Sequence, residues 1–278
     1  MVTHSPSVAE TARWVAAERA RESVRSDALF SDPFAGHLAG ETGQEMADRM
    51  TSLAEGRPSS VAVRTRYFDD VVEEVLRSSH IEQVVMPAAG MDARGFRLDL
   101  AENVNWYELD QPDLLVVKEQ VLEEIRARPR CRRHVLPVDL TSDWAAPLLQ
   151  AGMDPERPTL WIVEGLVCYL TAEAVAGFLD SITSLSAPGS HLVADILGQM
   201  MLDRRRPWLR SWLDSLEQEG MGQQFATDDP EMLFESRGWE CEVAQHSVVA
   251  REFGRWPYRV PVRGESDALD SFLVHARR

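Results

Sequence analysis

The stretch Ile81–Asp110, IEQVVMPAAGMDARGFRLDLAENVNWYELD, decides the fold. It opens on Val84-Val85-Met86, an apolar, β-branched run of strand length. The run stops at Pro87-Ala88-Ala89-Gly90, where small side chains follow a turn-former. A second apolar run, Val104 to Leu109, ends among two acids, Glu108 and Asp110. Gly90 and Asp110 lie 20 positions apart. That is the spacing of a nucleotide-binding βαβ unit, in which glycine lets backbone approach the ligand and the acid accepts from ribose hydroxyls. The fingerprint is imperfect, because its first glycine would fall on Ala88, and an ordinary tight turn of an α/β sheet gives the same residues.

Downstream of this unit, strands and helices alternate, which predicts a mostly parallel sheet covered on both faces. Strands are expected at His134–Val138, Thr159–Val163 and His191–Ile196, with helices at Pro112–Arg128 and Thr171–Leu185. Successive strand ends carry Asp110, Asp139 and Glu164, and the carboxyl ends of parallel strands are where a ligand crevice opens. Upstream lie some 80 mostly helical residues: Val8–Ser23, a capped start at Ser31-Asp32-Pro33-Phe34, Gln44–Ala54, a break at Gly56-Arg57-Pro58, and Ser60–Arg77. The polar start, Met1–Pro6, is expected to fray. After the fifth strand, Gly198–Phe225 breaks the rhythm with Met200, Met201, Arg204-Arg205-Arg206, Trp208 and Trp212. It reads either as a helical insertion near the ligand edge or as an amphipathic surface helix. A short helix at Pro230–Arg237 and two late strands, Glu240–Val248 and Phe272–His275, complete the chain. The expected organisation is one domain over 1–278, made of a helical cap (1–80), a cofactor-binding core (81–197), a lid (198–227) and C-terminal strands (228–278).

With 29 Lys and Arg against 45 Asp and Glu, the net charge of −16 repels a nucleic-acid backbone. Cys131, Cys168 and Cys241 are scattered and form no C-x-x-C pair, so neither a structural zinc nor a disulfide framework is expected and a reducing cytoplasm fits. No metal-ligand cluster, signal peptide or membrane span is evident. The expected partner is a small-molecule acceptor, with no nucleic acid or membrane; the oligomeric state is left open.

The chain resembles the leucine carboxyl methyltransferase family, in particular its bacterial small-molecule branch. The resemblance rests on Arg19-Ala20-Arg21-Glu22-Ser23, Asp32-Pro33-Phe34-Ala35, Arg64-Thr65-Arg66-Tyr67-Phe68-Asp69-Asp70, Ala89-Gly90-Met91-Asp92-Ala93-Arg94, Glu108-Leu109-Asp110-Gln111-Pro112, Asp139-Leu140 and Glu164-Gly165-Leu166-Val167-Cys168-Tyr169-Leu170, in that order. It spans roughly residues 10 to 200 and is loose thereafter. It implies a Rossmann-like class I methyltransferase fold: a seven-stranded sheet with its last strand antiparallel, a helical N-terminal cap and an insertion after strand five. It further implies S-adenosylmethionine as cofactor and S-adenosylhomocysteine as product. Arg64 would grip the methionine carboxylate, Ala88 and Gly90 would lie under the methionine part, and Asp110 with Gln111 would meet the ribose. Asp139 and Leu140 would frame the adenine. Glu164, next to Gly165, would hold the ammonium. Tyr169 is expected nearer the acceptor, with Arg205 and Trp208 from the insertion.

Methyl transfer is an in-line displacement, so the protein must chiefly bring a nucleophile to the methyl and exclude water. The expected acceptor is an oxygen of a small organic molecule, first a carboxyl group and then a hydroxyl. A carboxylate is already ionised and needs no base. A hydroxyl needs one, for which the sequence offers Asp195, His191 and His246, with His191 expected to face away. Tyr169 and Asp195 are the expected catalytic pair. Methylation of a protein C-terminal carboxylate, and a nicotinamide-dependent oxidoreductase on the same core, stay open on the sequence alone, as does a binding protein that has lost its acceptor site.

Overall fold

The computed structural model describes residues 8–54, 59–218, 220, 222–265 and 268–278; the start at Met1–Pro6 and the break at Gly56-Arg57-Pro58 lie outside them. The cap consists of α1 (Val8–Ser23), α2 (Ala35–Leu53) and α3 (Ser60–Ser78). Asp32 starts α2 as expected: its Oδ1 accepts from the amides of Phe34 and Ala35 at 3.1 and 3.0 Å. The two helical stretches anticipated after it are one element with a kink at Gly40 (φ 59°, ψ −171°). The hydroxyl of Ser59 caps α3 by accepting from the Val61 amide.

The core follows as β1 (Gln83–Pro87), α4 (Arg94–Arg97), β2 (Asn105–Asp110), α5 (Pro112–Glu124), β3 (Arg132–Pro137), α6 (Ala145–Gln150), β4 (Thr159–Val163), α7 (Ala172–Ser184) and β5 (His191–Leu197). Next come a 3₁₀ turn at Gln199–Leu202, α8 (Pro207–Gln218), α9 (Pro230–Glu235), β6 (Glu240–Gln245), α10 (His246–Glu252) and β7 (Ser271–Arg277). The seven strands form one sheet in the order β3-β2-β1-β4-β5-β7-β6, with β7 antiparallel to both neighbours. This is the expected class I methyltransferase sheet. β1 and β4 are buried along their whole length, so they read as continuous apolar runs rather than alternating ones. One face packs against α3 and α10 through residues such as Phe68, Val72 and Val249, and the other against α6, α7 and α9 through Leu148, Phe178 and Phe234.

One boundary differs in a way that matters. The sixth strand does not continue to Val248: it ends at Gln245, and His246 begins a helix. The buried carboxylate of Asp270 takes the Ser247 amide (3.0 Å), the Ser247 hydroxyl (2.5 Å) and the Gln245 side-chain amide (2.9 Å), which turns the chain out of the ladder. Because β6 and β5 both run antiparallel to β7, β6 points the same way as β5. His246 therefore arrives at the same sheet edge as Asp110 and Glu164.

Candidate active site

The carboxyl ends of the parallel strands border one cavity of about 1540 Å³, and every cofactor-side residue expected from the sequence, from Arg64 and Ala88 to Glu164 and Gly165, lines it. Behind the cavity wall stands a cation that holds several of the site's acids. Arg94, fully buried, reaches Asp69 (2.7 Å), Asp92 (2.7 Å), Glu164 (2.6 Å) and the Thr65 carbonyl (3.3 Å). Arg97 clamps the other side of Asp69 at 2.8 and 2.7 Å. Arg19 donates to the Met91 carbonyl at 2.5 Å and faces Asp32 at 3.3 Å. Arg19 and Arg94 both lie in the quoted motifs, which was the signal available; Asp92 sits in the same motif as Arg94, while Asp69 and Glu164 come from distant segments.

Glu164 is shared. Its Oε2 meets Arg94 and its Oε1 meets the Arg64 Nε at 3.0 Å. Burial pushes this carboxyl up, but Arg94, Arg64 and Arg19 outweigh it and hold it down at about 2. Arg64 also donates through Nη1 to Asp195 at 3.0 Å. Two edges of its guanidinium thus already serve the protein's own acids. Gly165 (φ +63°) lies beneath that guanidinium, where a Cβ would come within 3.4 Å of both Nη atoms. The connected cluster sets the cations Arg19, Arg64, Arg94 and Arg97 against the carboxylates of Asp32, Asp69, Asp92, Glu164 and Asp195, leaving one surplus negative charge.

At the nucleoside side, the 20-residue spacing is a direct contact: the Gly90 amide donates to Asp110 Oδ2 at 2.7 Å, and the Gln111 amide to Oδ1 at 2.7 Å. Burial raises the Asp110 carboxyl, opposed by these two donors. Gly90 holds φ +51°, and Ala88, at the imperfect position of the fingerprint, holds φ +55° without being glycine. Asp139 accepts from the amide and hydroxyl of Thr141, which lower its carboxyl.

The acceptor-side expectations divide. Tyr169 and Trp208 border the cavity. Burial pushes the Tyr169 hydroxyl well up, so it stays protonated. Asp195 lines the cavity too, but its Oδ1 accepts from the Gly165 amide at 2.6 Å and its Oδ2 from Arg64, so it is engaged rather than free as a base. Arg205 is a correction: its side chain is 82% exposed, bonds to Asp203 at 2.8 Å and does not line the cavity. The turn before α8 points it outward. Arg206 lines the cavity instead, and Arg204, also on the wall, pairs with Asp214 and Glu217. His191 faces away as expected, with Nδ1 at 2.9 Å from Nε2 of His275. His246, buried, borders the cavity, as do Trp256 and Tyr258.

Residues 12–183 match the leucine carboxyl methyltransferase family model. A candidate S-adenosyl-L-methionine-dependent methyltransferase of Parafrankia sp. (strain EAN1pec) is 38% identical over 277 residues, covering 94% of this chain and 86% of that protein. One of Mycobacterium avium (strain 104) is 38% identical over 291 residues, covering 97% and 90%. Among solved structures, a DUF574 family protein of Streptomyces avermitilis superposes with TM-score 0.65 at 16% identity, covering 99% of this chain and 98% of that one. A candidate methyltransferase of Thermobifida fusca gives TM-score 0.63 at 19% identity, covering 96% and 94%. At such identities the likeness is one of fold.

Proposed function

This chain belongs to the leucine carboxyl methyltransferase family and is an S-adenosylmethionine-dependent methyltransferase, and from that premise we propose that it methylates an oxygen of a small organic acceptor, a carboxylate or a hydroxyl, held in the same cavity as the cofactor. The observation that carries this reading is the size and continuity of the cavity. At about 1540 Å³ it exceeds the roughly 300–1,000 Å³ of a site for one small ligand, and it runs from the strand-edge acids to Trp208, Trp212, Trp256 and Tyr258. There is room for cofactor and acceptor side by side.

The residues present fit the cofactor. Asp110 would take the ribose hydroxyls beside Gln111, with lone pairs left after the two backbone donors. Asp139 and Leu140 would frame the adenine. Ala88 and Gly90, bare of large side chains, would leave room for the methionine part. Its ammonium would meet Glu164 and its carboxylate the remaining edge of Arg64. The surplus negative charge of the arginine–acid cluster complements a cofactor whose ammonium, sulfonium and carboxylate sum to one positive charge. When bound, the cofactor supplies a methyl group activated by the sulfonium. The chain's own work is to orient the acceptor oxygen toward it and to exclude water.

A protein C-terminal carboxylate would call for an open groove. Here α8 is fastened over the cavity by Trp212, edge-on to Trp14 at 5.8 Å, and by Leu216 beside Met46 and Met50, which supports an enclosed small acceptor. Incubation with methyl-labelled S-adenosylmethionine and a panel of organic acids and phenols, read by mass spectrometry, tests the proposal. A methyl ester or methyl ether is expected; label transferred to nitrogen or carbon acceptors alone overturns it.

A further inference from the structure

His246 is a titratable group on the cavity wall, and nothing in the cofactor site uses it. It follows the last residue of β6, at the sheet edge that carries Asp110, Glu164 and Asp195. Its ring is buried, 6% exposed, and borders the cavity. Nε2 lies 3.3 Å from the carbonyl oxygen of Ser60 at the start of α3. A carbonyl only accepts, so Nε2 carries the proton and Nδ1 is left with a lone pair. Among the described residues Nδ1 makes no hydrogen bond. The ring is further fixed by Trp256, edge-on at 6.5 Å, and by the adjoining Ser247, whose amide and hydroxyl are both held by Asp270.

The other bases near this end are committed. Asp195 is held by Gly165 and Arg64, Asp270 by Ser247 and Gln245, and the Tyr169 hydroxyl stays protonated. Three groups act on His246 by charge: Asp270 and Asp195 favour the imidazolium and Arg64 opposes it, while burial, the largest influence, keeps the ring neutral. The walls beside it are aromatic, with Trp256 packed edge-on against Tyr258 at 5.7 Å.

We infer that His246 is the general base of the reaction and that the acceptor is a phenol, stacked among Trp256 and Tyr258 with its hydroxyl at Nδ1. This rests on the O-methylation reading above and narrows its acceptor from a carboxylate or hydroxyl to a phenolic hydroxyl. The phenolic oxygen forms the bond to the methyl carbon as its proton passes to Nδ1. The methyl–sulfur bond breaks with its electron pair going to sulfur, which leaves a neutral thioether, a methyl ether and an imidazolium. The imidazolium then returns its proton to water. A neutral imidazole suits a phenol, which is acidic enough to give up a proton as the bond forms; an aliphatic alcohol is much less so.

The test compares 4-methylphenol, catechol and naringenin with benzoate, cinnamate and octanoate, using methyl-labelled S-adenosylmethionine and the intact protein. Label is expected on at least one phenol and on no carboxylate. With that phenol, His246→Gln should lower kcat about a hundredfold or more, leave KM within a few-fold, and remove the acid-side limb of the kcat–pH profile. S-adenosylhomocysteine affinity by calorimetry should be unchanged in the variant. A readout independent of turnover is nitrogen NMR of the wild-type ring, which should show a neutral imidazole protonated at Nε2 near neutral pH. Methylation of carboxylates alone overturns the inference while sparing the O-methylation reading, and so does a His246→Gln protein that binds cofactor and turns over normally. If the homocysteine product binds yet no phenol is labelled, the phenol assignment is overturned. Transfer to nitrogen or carbon alone overturns both readings. Should His246→Gln not fold, an Nδ1-protonated or charged ring in the wild type decides against it.

Discussion

The guanidinium of Arg94 faces three carboxylates at once in a site without solvent, so its worth lies in what its loss would strand. Removing one partner of a buried ion pair costs about 3–5 kcal/mol, because the others stay behind uncompensated. Arg94→Ala is expected to lower apo stability by about that much in a urea titration; a loss under about 1 kcal/mol would mean that the acids re-pair or protonate. Arg64 is different in degree. Lysine keeps the charge but not the fork that spans Glu164 and Asp195, so Arg64→Lys should weaken S-adenosylhomocysteine binding and also lower the apo melting temperature. From the sequence alone a pure affinity loss follows, because nothing there shows that Arg64 serves the protein's own acids. Ala88 carries the opposite signal: at φ +55° an L-residue is disfavoured by about 1–2 kcal/mol. Ala88→Gly should therefore stabilise the fold, by up to about 1 kcal/mol after the extra chain entropy of glycine, visible as a raised melting temperature. That Gly90 and Asp110 share one site was legible because a fixed spacing encodes it, although the hydrogen bond between them was not. The Arg94 hub was not, since its partners Asp69 and Glu164 lie 25 and 70 positions away and no local pattern marks them.

At the scale of elements, the buried parallel strands were the easiest to read, because Val84-Val85-Met86 and Thr159–Val163 are apolar runs bounded by turn-formers. The end of β6 was not. Glu240 to Val248 reads as one strand with valines at 243 and 248, and only the carboxylate of Asp270, supplied from 23 residues further on, explains why Ser247 turns away. Asp270→Ala should leave the Ser247 amide and hydroxyl without their acceptor, while the Gln245 side chain keeps the Pro261 carbonyl. The expected cost is about 2–4 kcal/mol, with faster hydrogen exchange over His246–Glu252 than over α7, where nothing is lost. Equal protection of α10 in variant and wild type would show that the corner is held by packing alone. The insertion was legible as a helix but not in its orientation. Three consecutive arginines cannot share a face, and the structure turns Arg205 out while Arg204 and Arg206 border the cavity.

For the whole molecule, the titrating groups set the pH range in which the fold holds, and the sign follows from where each proton goes. His275, paired with His191 across β7 and β5, is pushed down from 6.5 to about 4 by burial, then by the charges of His191 and Arg277. Between those values the unfolded chain binds a proton that the folded one refuses, so stability present above 6.5 is lost as pH falls toward 4. Glu164 and Glu108 are held down from 4.5 to about 2 despite their burial, Glu164 by Arg94 and Arg64, Glu108 by Lys118 and Arg133. Their stabilisation is present above 4.5 and lost as pH falls toward 2. Acidification also shrinks the net charge of −16, which relieves self-repulsion and works the other way. Salt separates the two effects, because surface repulsion is screened at about 0.15 M or above while buried pairs are not. Urea midpoints in such salt should therefore fall from about pH 7 to about pH 5 in the wild type, and His275→Asn should make that step smaller, the part due to His246 and the other lowered histidines remaining, while keeping the steeper loss below about pH 4. A midpoint that rises toward pH 5 in high salt would show that the histidine pair does not stay neutral in the fold.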